Sequence, residues 1–280
     1  MKLNTSKIQG LRYNDIEKYF YIKELEVSIT SKCHLRCDNC GFYIPEQPYP
    51  AMTKDIVSEI TFGLSQLARL NIQIGSLAIL GGEPSSNSNL LTESLKACAQ
   101  FENINQIEVV SHGLTPQFIN KEAFKYIDKL TISVYFDNQE LRTLWKQYIK
   151  KVAPNTELSL RVDKEWDQWI SKEIVNDEKA QEMFTNCWYR KHCVTLERQR
   201  LFMCSRIPKL ANDNEGIRIT EQTTIEDIEK YLNQETFTAS CITCTPMMGL
   251  KKVKAGQQPD DRIQKMIPKA ITYLTTALHE

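Results

Sequence analysis

The feature that most constrains this chain is a closely spaced set of three cysteines, Cys33, Cys37 and Cys40. They share one short loop, which follows an alternation of apolar and polar residues at 25–29 that predicts a strand. Three thiolates occupy three corners of a [4Fe–4S] cluster and leave its fourth iron open to another ligand. A structural zinc site is the alternative, but such sites take four protein ligands and no fourth cysteine lies near Cys40.

A second motif, Gly81-Gly82-Glu83-Pro84, follows a predicted strand at residues 76–80. Two glycines let the backbone approach a ligand closely, and a glutamate accepts hydrogen bonds from an ammonium group. A Gly-Gly pair alone is a common turn device. Its position one predicted strand-and-helix unit after the three cysteines makes the combination specific.

The cysteine spacing and the Gly-Gly-Glu-Pro motif together resemble the radical S-adenosylmethionine (SAM) superfamily. The resemblance implies that SAM chelates the open iron and is cleaved to methionine and a 5′-deoxyadenosyl radical. It also implies that the four residues of the second motif contact the SAM amino group. An aromatic residue or a histidine often precedes the third cysteine in that family, whereas this chain has Asn39, with Phe42 and Tyr43 as nearby replacements.

The resemblance assigns further SAM contacts to the ends of later predicted strands. Ser111 begins a Ser-His-Gly segment where relatives carry Thr-Asn-Gly, so His112 either faces the site or is solvated. Ser133 and Asp137 match the segment that contacts the SAM ribose, or they serve as turn and cap residues. Arg161 either binds the SAM carboxylate through its planar fork or forms a structural ion pair.

The composition sets limits on the fold and on partners. With 280 residues, 41% of them hydrophobic, the chain can bury one large α/β core. Lysine plus arginine and aspartate plus glutamate balance at 35 each, so no basic field favours nucleic acid. No apolar run is long enough for a membrane span, and residues 1–10 lack the apolar part of an export signal. We therefore expect a cytoplasmic protein whose cysteines bind metal rather than form disulfides, with no nucleic-acid or membrane partner.

Alternating strand and helix patterns predict an α/β fold with a parallel sheet and right-handed crossovers. The resemblance implies a partial (β/α)6 TIM-type barrel over residues 1–180, whose active site lies at the carboxyl ends of the strands. A small cysteine-rich domain with a β-hairpin and a helix is expected at 181–256, followed by a C-terminal amphipathic helix at 257–280. In the barrel we expect strands that end at residues 29, 80, 110, 135 and 162.

Helices and loops are predicted in less detail. A short helix is expected at 15–21, and Thr53 is expected to cap a helix that buries Ile56, Ile60, Leu64 and Leu67. Cys98 falls on the apolar face of the next helix and is interpreted as a core residue. Residues 164–170 predict either a barrel-closing helix or the rim of the substrate site.

Five further cysteines form a second group: Cys187, Cys193, Cys204, Cys241 and Cys244. Residues 194–203 predict a hairpin between two of them, and residues 224–232 predict a helix before the last pair. The arrangement resembles the SPASM and twitch extensions of radical SAM enzymes, which hold auxiliary iron–sulfur clusters. Their hairpin usually turns at a glycine, whereas this chain has Gln199, so a wider turn is expected.

Five thiols are too few for two four-cysteine clusters, so one auxiliary [4Fe–4S] cluster is expected. Its ligands would be Cys204, Cys241, Cys244 and either Cys187 or Cys193. A structural zinc ribbon is the alternative for the same residues. The leftover cysteine is either inert or a hydrogen-atom donor to a substrate radical.

Two clusters favour an enzyme that removes a hydrogen atom from its substrate and then one electron, which is a two-electron oxidation. Hydrogen-atom return from a cysteine would give epimerisation instead, and an oriented peptide would give cross-linking or maturation. The amino-terminal segment has no evident leader-peptide-binding region, which favours a small molecule such as a sugar or cyclitol over a peptide. An external one-electron reductant such as flavodoxin or ferredoxin is implied.

The catalytic base is not assigned, since Tyr135, Glu165 and His192 qualify by location alone. A hypothesis from another class is a zinc-binding interaction module without catalysis. The Gly-Gly-Glu-Pro motif argues against that hypothesis, because zinc scaffolding does not need it.

Overall fold

The computed structural model describes residues 10–45, 55–210 and 213–280. The strands of these residues are β1 (Arg12–Asn14), β2 (Tyr19–Thr30), β3 (Ile72–Gly81), β4 (Ile107–Ser111), β5 (Lys129–Ser133), β6 (Glu157–Arg161), β7 (Glu165–Trp166), β8 (Val194–Glu197), β9 (Arg200–Phe202), β10 (Ile217–Arg218) and β11 (Val253–Lys254). The helices are α1 (Ile56–Arg69), α2 (Ser88–Cys98), α3 (Gln139–Val152), α4 (Asp177–Asn186), α5 (Tyr189–His192), α6 (Arg206–Lys209), α7 (Ile225–Leu232), α8 (Ala239–Ile242) and α9 (Arg262–His279).

A single large sheet organises the described residues, in the order β10-β9-β8-β2-β3-β4-β5-β6, with β1 paired to β2. From β8 to β6 every neighbouring pair runs parallel. Helices α1, α2 and α3 lie in the chain between successive parallel strands. The predicted α/β class with a partial TIM-type barrel is therefore confirmed.

Strand β2 explains how the sequence divides the two faces of the sheet. Leu25, Val27 and Ile29 are fully buried on one face. Glu24 and Glu26 alternate with them and line the cavity inside the barrel. Because successive side chains of a strand point to opposite faces, one apolar face packs under the helices while a polar face lines the interior.

The helices that cover the outer face follow the predicted spacing. In α1 the side chains of Ile56, Ile60, Leu64 and Leu67 are buried. Thr53, the predicted cap of this helix, lies outside the described residues. In α2, Cys98 is buried in the core, where burial raises the pKa of its thiol to about 12. An inert core cysteine is the interpretation that this environment supports.

The predicted helix at residues 15–21 is wrong. Strand β1 pairs antiparallel with the start of β2, and the residues between them form the turn of a hairpin. The side chain of Asn14 accepts hydrogen bonds from the backbone N–H groups of Ile16 and Glu17, and Lys18 adopts a left-handed φ of 57°. An Asx turn and strand pairing thus outweigh the weak helical pattern.

Two further boundaries differ from the prediction. Strand β5 ends at Ser133, before Tyr135. Residues 164–170 do not form a helix, because β7 pairs with the distant β11. Trp166 and Trp169 line the cavity, which agrees with the alternative prediction that this segment is the rim of the site.

The hairpin β8–β9 turns more tightly than predicted. Arg198 and Gln199 have φ values of 50° and 54°, and they are the two residues between the paired strands. The guanidinium of Arg198 lies 2.5 Å from Asp213 and 3.2 Å from Glu197. Two left-handed residues form the compact loop that suits the twist of paired strands, so no glycine is needed to close it.

The same hairpin extends the barrel sheet. Strand β8 pairs parallel with β2, at Leu25 opposite Val194 and Glu26 opposite Thr195. One sheet therefore runs through both sides of the boundary predicted at residue 180.

Gln199→Gly is expected to stabilise the protein by about 0.5 kcal/mol, because glycine adopts a left-handed φ without the clash of a Cβ. Urea unfolding of the two proteins measures the difference. Gln222→Gly is the matched control, since Gln222 is an exposed turn residue outside the positive-φ set. Equal loss of stability in both variants would contradict this account of the turn.

The carboxy-terminal helix α9 completes the outer layer. Its residues Ile263, Ile267, Ala270 and Leu274 are buried, and it packs beside α3. The predicted helix before the last cysteine pair is confirmed as α7, where Thr224 and Asp227 form a capping box. Within the described ranges, no helix is both long and apolar enough to cross a membrane.

Candidate active site

The three-cysteine loop lies at the carboxyl end of β2, over the mouth of the barrel. Cys33, Cys37 and Cys40 all line one cavity of about 550 Å³, together with Gly81, Gly82 and Glu83. The same cavity reaches the barrel interior along strands β2, β4 and β5. The structure thus brings the two sequence motifs to one place, as expected for residues that follow neighbouring parallel strands.

The environment of these thiols suits ligands of a metal cluster. Burial raises the pKa of Cys33, and it raises the pKa of Cys37 to about 11. The Gln258 side-chain amide donates a hydrogen bond to Cys37 Sγ at 2.9 Å, and the Leu35 N–H donates to Cys33 Sγ at 3.4 Å. Buried thiols become thiolates when a metal compensates the charge, and amide donors to sulfur stabilise such clusters. The residues present therefore fit a three-thiolate [4Fe–4S] site.

The two glycines are required by the chain itself. The N–H groups of Gly82 and Glu83 donate to the carbonyls of Thr30 and Lys32, at 2.8 and 2.7 Å. A Cβ on Gly82 would lie 2.2 Å from the Lys32 carbonyl oxygen. Only glycine allows this approach, so the motif is joined directly to the start of the cysteine loop.

Glu83 connects the ends of β3 and β4. Its side chain is 1% exposed, and it accepts hydrogen bonds from the Ser85 N–H and hydroxyl, the Ser111 hydroxyl and the His112 N–H, at 2.8 to 3.1 Å. Burial alone would raise the pKa of Glu83, but His112 and these donors outweigh it and lower the pKa. The carboxylate is therefore charged and rigidly held.

His112 is buried against Glu83 and lines the cavity, so of its two predicted positions the one that faces the site is correct and the solvated one is wrong. Its Nδ1 accepts a hydrogen bond from the Leu114 N–H at 3.0 Å, which leaves the proton of a neutral ring on Nε2. That nitrogen lies 3.4 Å from Glu83 Oε2. Burial lowers the pKa of His112, although Glu83 opposes this effect.

Of the other predicted SAM contacts, Ser111, Ser133 and Arg161 line the cavity. Arg161 Nη2 donates to Ser133 Oγ at 2.7 Å, and its Nε lies 3.5 Å from Asp163. Arg161 thus faces the site and also forms an ion pair.

Asp137 is placed differently from its prediction. The residue is exposed, lies 3.5 Å from Arg142 and does not line the cavity. The chain turns outward here because the neighbouring Asn138 caps α3, accepting a hydrogen bond from the Leu141 N–H. The interpretation of this segment as cap chemistry is the one that the structure supports.

The residues around Asn39 have two roles, since some line the cavity and others connect the cysteine loop to the rim. Asn39 has a φ of 55°, and its side chain accepts a 3.4 Å hydrogen bond from the Ile170 N–H. Phe42 lines the cavity, where an aromatic ring could stack. Tyr43 instead donates its hydroxyl to the Trp169 carbonyl at 3.0 Å and joins the loop to the rim.

Sequence reasoning missed residues 257–262, which form hydrogen bonds with the cysteine loop. The Arg36 N–H donates to the Gln258 side chain, and the Asp38 N–H donates to the Gln257 carbonyl, both at 2.8 Å. Arg262 donates to the His34 carbonyl at 3.1 Å. Because more than 200 residues separate these partners, no local pattern could have predicted the contacts.

Sequence reasoning also missed the charged interior of the barrel. Glu24, Glu26, Glu108, Lys129 and Thr131 line the cavity below the cysteine loop. Glu108 lies 3.3 Å from Lys129 and accepts a 2.5 Å hydrogen bond from the Thr131 hydroxyl. Burial raises the pKa of Glu26 to about 7. The signal in the sequence is the alternation of glutamates with Leu and Val in β2, which places the charged side chains on the inner face.

Among the three candidate bases, only Tyr135 lines the cavity. Burial raises the pKa of its hydroxyl to about 12, so it donates rather than accepts a proton at neutral pH. Glu165 is exposed, and the ring of His192 stacks on exposed Trp188 with centroids 4.5 Å apart. Neither of them lines the cavity.

The second cysteine group separates into four and one. Besides burial, negative charge on Cys241 raises the pKa of Cys187, and charge on Cys187 raises the pKa of both Cys204 and Cys244, so these four thiols lie near one another. Cys193 instead faces the barrel interior, where ligand atoms of Cys193, Glu24 and Glu26 lie within 4.8 Å of one another. Besides burial, charge on Cys204 also raises the pKa of Cys193, so the choice between Cys187 and Cys193 stays a prediction. Cys187 is favoured because the Cys193 thiol faces Glu24 and Glu26.

The four thiols share an environment suited to anionic ligands. Backbone N–H groups donate to Cys187, Cys204 and Cys244. The buried guanidinium of Arg190 lies near Cys187 and Cys241, and burial lowers its pKa to about 10. Four thiols with amide donors fit a [4Fe–4S] cluster and equally a structural zinc ion.

This four-thiol group borders the cavity. Trp188 and Tyr189, which follow Cys187, and Ser205, which follows Cys204, all line it. A metal centre held by the four thiols would therefore lie behind the cavity wall.

Three solved structures that resemble this fold are compared with it by identity, coverage and TM-score. A crystal structure of BtrN in complex with AdoMet and 2-DOIA is 13% identical, with 80% of this chain and 87% of that chain aligned at a TM-score of 0.48. A structure of anSMEcpe with bound AdoMet is 12% identical over 92% of this chain and 98% of that chain, with a TM-score of 0.40. Streptococcus suis SuiB bound to precursor peptide SuiA is 14% identical over 95% of this chain and 67% of that chain, with a TM-score of 0.38.

This chain is therefore similar in fold to these three proteins. At these identities and TM-scores the similarity describes the fold and assigns no substrate. A scan of protein-family models gives no match to the sequence, and neither does a search of the curated proteins.

Proposed function

We propose that this chain is a radical SAM enzyme in which Cys33, Cys37 and Cys40 hold a [4Fe–4S] cluster with one open iron. The observation that carries the proposal is the meeting of these three thiols with Gly81 and Gly82 at the mouth of one barrel cavity. A zinc-binding interaction module would need neither a fixed glycine turn at the metal nor a cavity behind it.

The surrounding residues would bind SAM and exclude water. The Gly81–Glu83 backbone, Ser111, Ser133 and Arg161 border the space next to the three thiols. When bound, the cluster and SAM supply a 5′-deoxyadenosyl radical that removes a hydrogen atom from the substrate. Trp166 and Trp169 form an aromatic rim that closes one side of this space against solvent.

For the net reaction we propose a two-electron oxidation of a small hydroxylated molecule such as a sugar or cyclitol. Cys187, Cys204, Cys241 and Cys244 would hold a second [4Fe–4S] cluster behind the cavity wall, and that cluster would supply a one-electron acceptor. The polar interior, with the Glu108–Lys129 pair and Thr131, suits a substrate that carries several hydroxyl groups. After removal of the hydrogen atom, the substrate radical would release its hydroxyl proton to solvent and one electron to a carrier of the flavodoxin or ferredoxin class.

Anaerobic turnover tests this proposal. We expect reconstituted protein, given SAM and a one-electron reductant, to form 5′-deoxyadenosine, and we expect hydroxylated substrates to accelerate that reaction. Oxidised product and 5′-deoxyadenosine should form in a ratio of about one to one, because each oxidation consumes one SAM. No 5′-deoxyadenosine above the level of a Cys40→Ala variant would contradict the proposal.

Epimerisation is a second candidate function, favoured by the position of Cys193. Its thiol lines the cavity beside Glu26 rather than joining the four-thiol group. It would donate a hydrogen atom to one face of the substrate radical, opposite the face from which the first hydrogen atom was removed. The resulting thiyl radical would then need one electron from the reductant and one proton to restore the thiol.

Solvent deuterium distinguishes the two candidate reactions. Epimerisation in D2O places one deuterium on the inverted carbon, since the Cys193 thiol exchanges with solvent. Cys193→Ala would then stop product formation but still allow 5′-deoxyadenosine to form. Oxidation predicts no deuterium in the product at that carbon and an active Cys193→Ala variant.

A further inference from the structure

Two buried arginines lie beside the four-thiol group. Arg190 belongs to α5, three residues after Cys187, and Arg206 belongs to α6, two residues after Cys204. The two residues are only 2% and 6% exposed. The backbone N–H of each donates a hydrogen bond to the thiol that precedes it, that of Arg190 to Cys187 and that of Arg206 to Cys204. Each arginine is therefore fixed at its backbone next to a thiol.

Arg206 connects the four-thiol group with the rim of the cavity. Its Nη2 donates to the carbonyl of Thr243, the residue before Cys244, at 2.6 Å. Its Nη1 donates at 3.2 Å to the carbonyl of Trp169, a residue that lines the cavity. Burial raises the pKa of Cys244 to about 12, and the guanidinium of Arg206 opposes this effect, as a cation beside a thiol does.

Arg190 is held by a separate set of contacts. Its Nη2 donates to the Gln234 carbonyl at 2.7 Å, and its guanidinium carbon lies 3.5 Å from the centroid of the Phe184 ring. Burial lowers the pKa of Arg190 to about 10, whereas charge on the nearby thiols, Cys187 first among them, opposes that effect. A buried cation is costly unless an anion compensates it. Four thiolates around a metal centre would supply that compensation.

We propose that Arg190 and Arg206 raise the reduction potential of the second cluster, so that it accepts an electron more readily. This inference rests on the proposed function, because it concerns the cluster that the four thiols would hold. An electron taken up by the cluster adds one negative charge, and a nearby buried cation stabilises the more negative state. Net charge and hydrogen bonds to sulfur set the potentials of such clusters. The two guanidinium groups therefore favour the reduced form.

A purely structural role for the arginines makes a different prediction. In that case the hydrogen bonds to the Thr243 and Gln234 carbonyls would be what matters, and the charge itself would not. Lysine keeps the charge but lacks the planar fork of donors, so it separates the two roles. Methionine removes both the charge and the donors while keeping an unbranched side chain.

Potentiometric titration followed by EPR spectroscopy, on the anaerobically reconstituted full-length holoenzyme, tests the inference. The variant with alanine at residues 33, 37 and 40 identifies the signal of the second cluster. We expect Arg206→Met and Arg190→Met each to lower its midpoint potential by at least a tenfold change in the one-electron equilibrium constant, which corresponds to about 59 mV. Arg206→Lys and Arg190→Lys are expected to keep that constant within about threefold of the wild type, because they keep the charge.

Arg69→Met is the matched control. Arg69 also donates to a main-chain carbonyl, that of Thr223 at 2.7 Å, but it belongs to the outer helix α1. Its replacement is expected to leave the potential of the second cluster unchanged. The cluster of the three-cysteine loop is the internal reference, and its potential is expected to stay constant in every variant. Equal potentials in the wild type and the methionine variants, or equal shifts in the methionine and lysine variants, would overturn the inference.

Iron analysis of the same samples separates this inference from the proposed function. If a methionine variant loses the second cluster, Arg206→Gln and Arg190→Gln take its place with the same expected shift, since glutamine donates hydrogen bonds without charge. Zinc in place of iron at the four thiols of the wild type would contradict the proposed second cluster and, with it, the inference. A full iron content with potentials that do not depend on the two arginines would overturn the inference alone.

Discussion

Cys187→Ala is expected to lose about four irons per chain on anaerobic reconstitution, because a four-thiolate cluster without one ligand is not retained. Cys193→Ala is expected to keep the full iron content. The reason is that, besides burial, charge on Cys187 raises the pKa of Cys204 and of Cys244 and charge on Cys241 raises that of Cys187, whereas the Cys193 thiol faces Glu24 and Glu26 in the cavity. Iron and sulfide analysis of the two variants and the wild type measures the difference.

The matched pair makes the outcome easy to interpret, since both cysteines are buried and lie six residues apart in the sequence. Iron loss in Cys193→Ala with retention in Cys187→Ala would contradict the assignment. Zinc in place of iron, lost in Cys187→Ala alone, would keep the four-thiol group but remove the electron acceptor and with it the proposed oxidation.

Glu83→Gln is expected to lower the free energy of unfolding by about 2–4 kcal/mol, because it removes a buried charge that accepts several hydrogen bonds. The Ser85 and Ser111 hydroxyls donate to one carboxylate oxygen, and the His112 N–H donates to the other at 2.9 Å. A glutamine would place its NH2 group against one of these donors. Urea unfolding of the metal-free proteins measures the loss.

Two variants control this experiment. Ser111→Ala removes a single donor to Glu83 and is expected to cost about 1 kcal/mol. Glu182→Gln, in an exposed pair with Lys179, is expected to change stability by less than about 0.5 kcal/mol. A loss for Glu83→Gln no larger than that for Glu182→Gln would mean that the carboxylate does not hold the strand ends together.

The parts of the fold that were predictable are those with local signals. Alternation in β2 and the helical spacing of α1 and α2 reflect side-chain periodicity, which the sequence carries directly. The three-cysteine loop and Gly81–Gly82 follow strand ends, and parallel strands bring such ends together.

The sequence-based predictions failed where contacts between residues far apart in the sequence determine the local structure. Glu165–Trp166 form a short strand instead of a helix because β11 pairs with β7. Asp137 lies outside the cavity lining because the neighbouring Asn138 caps α3. The choice between Cys187 and Cys193, which the sequence leaves open, depends on the pairing of β8 with β2, which brings Cys193 beside Glu24 and Glu26. No local pattern records those partners.

The measurement that tests the central claim most directly compares the wild type with a variant in which Cys33, Cys37 and Cys40 are all alanine. Iron and sulfide content and Mössbauer spectra are recorded on anaerobically reconstituted proteins, and 5′-deoxyadenosine formation is assayed with SAM and reductant. Far-UV circular dichroism verifies that the variant is folded. We predict that about eight irons fall to about four and that 5′-deoxyadenosine is no longer formed. Unchanged iron content, or continued formation of 5′-deoxyadenosine by the folded variant, would contradict the claim that these three thiols hold the cluster that activates SAM.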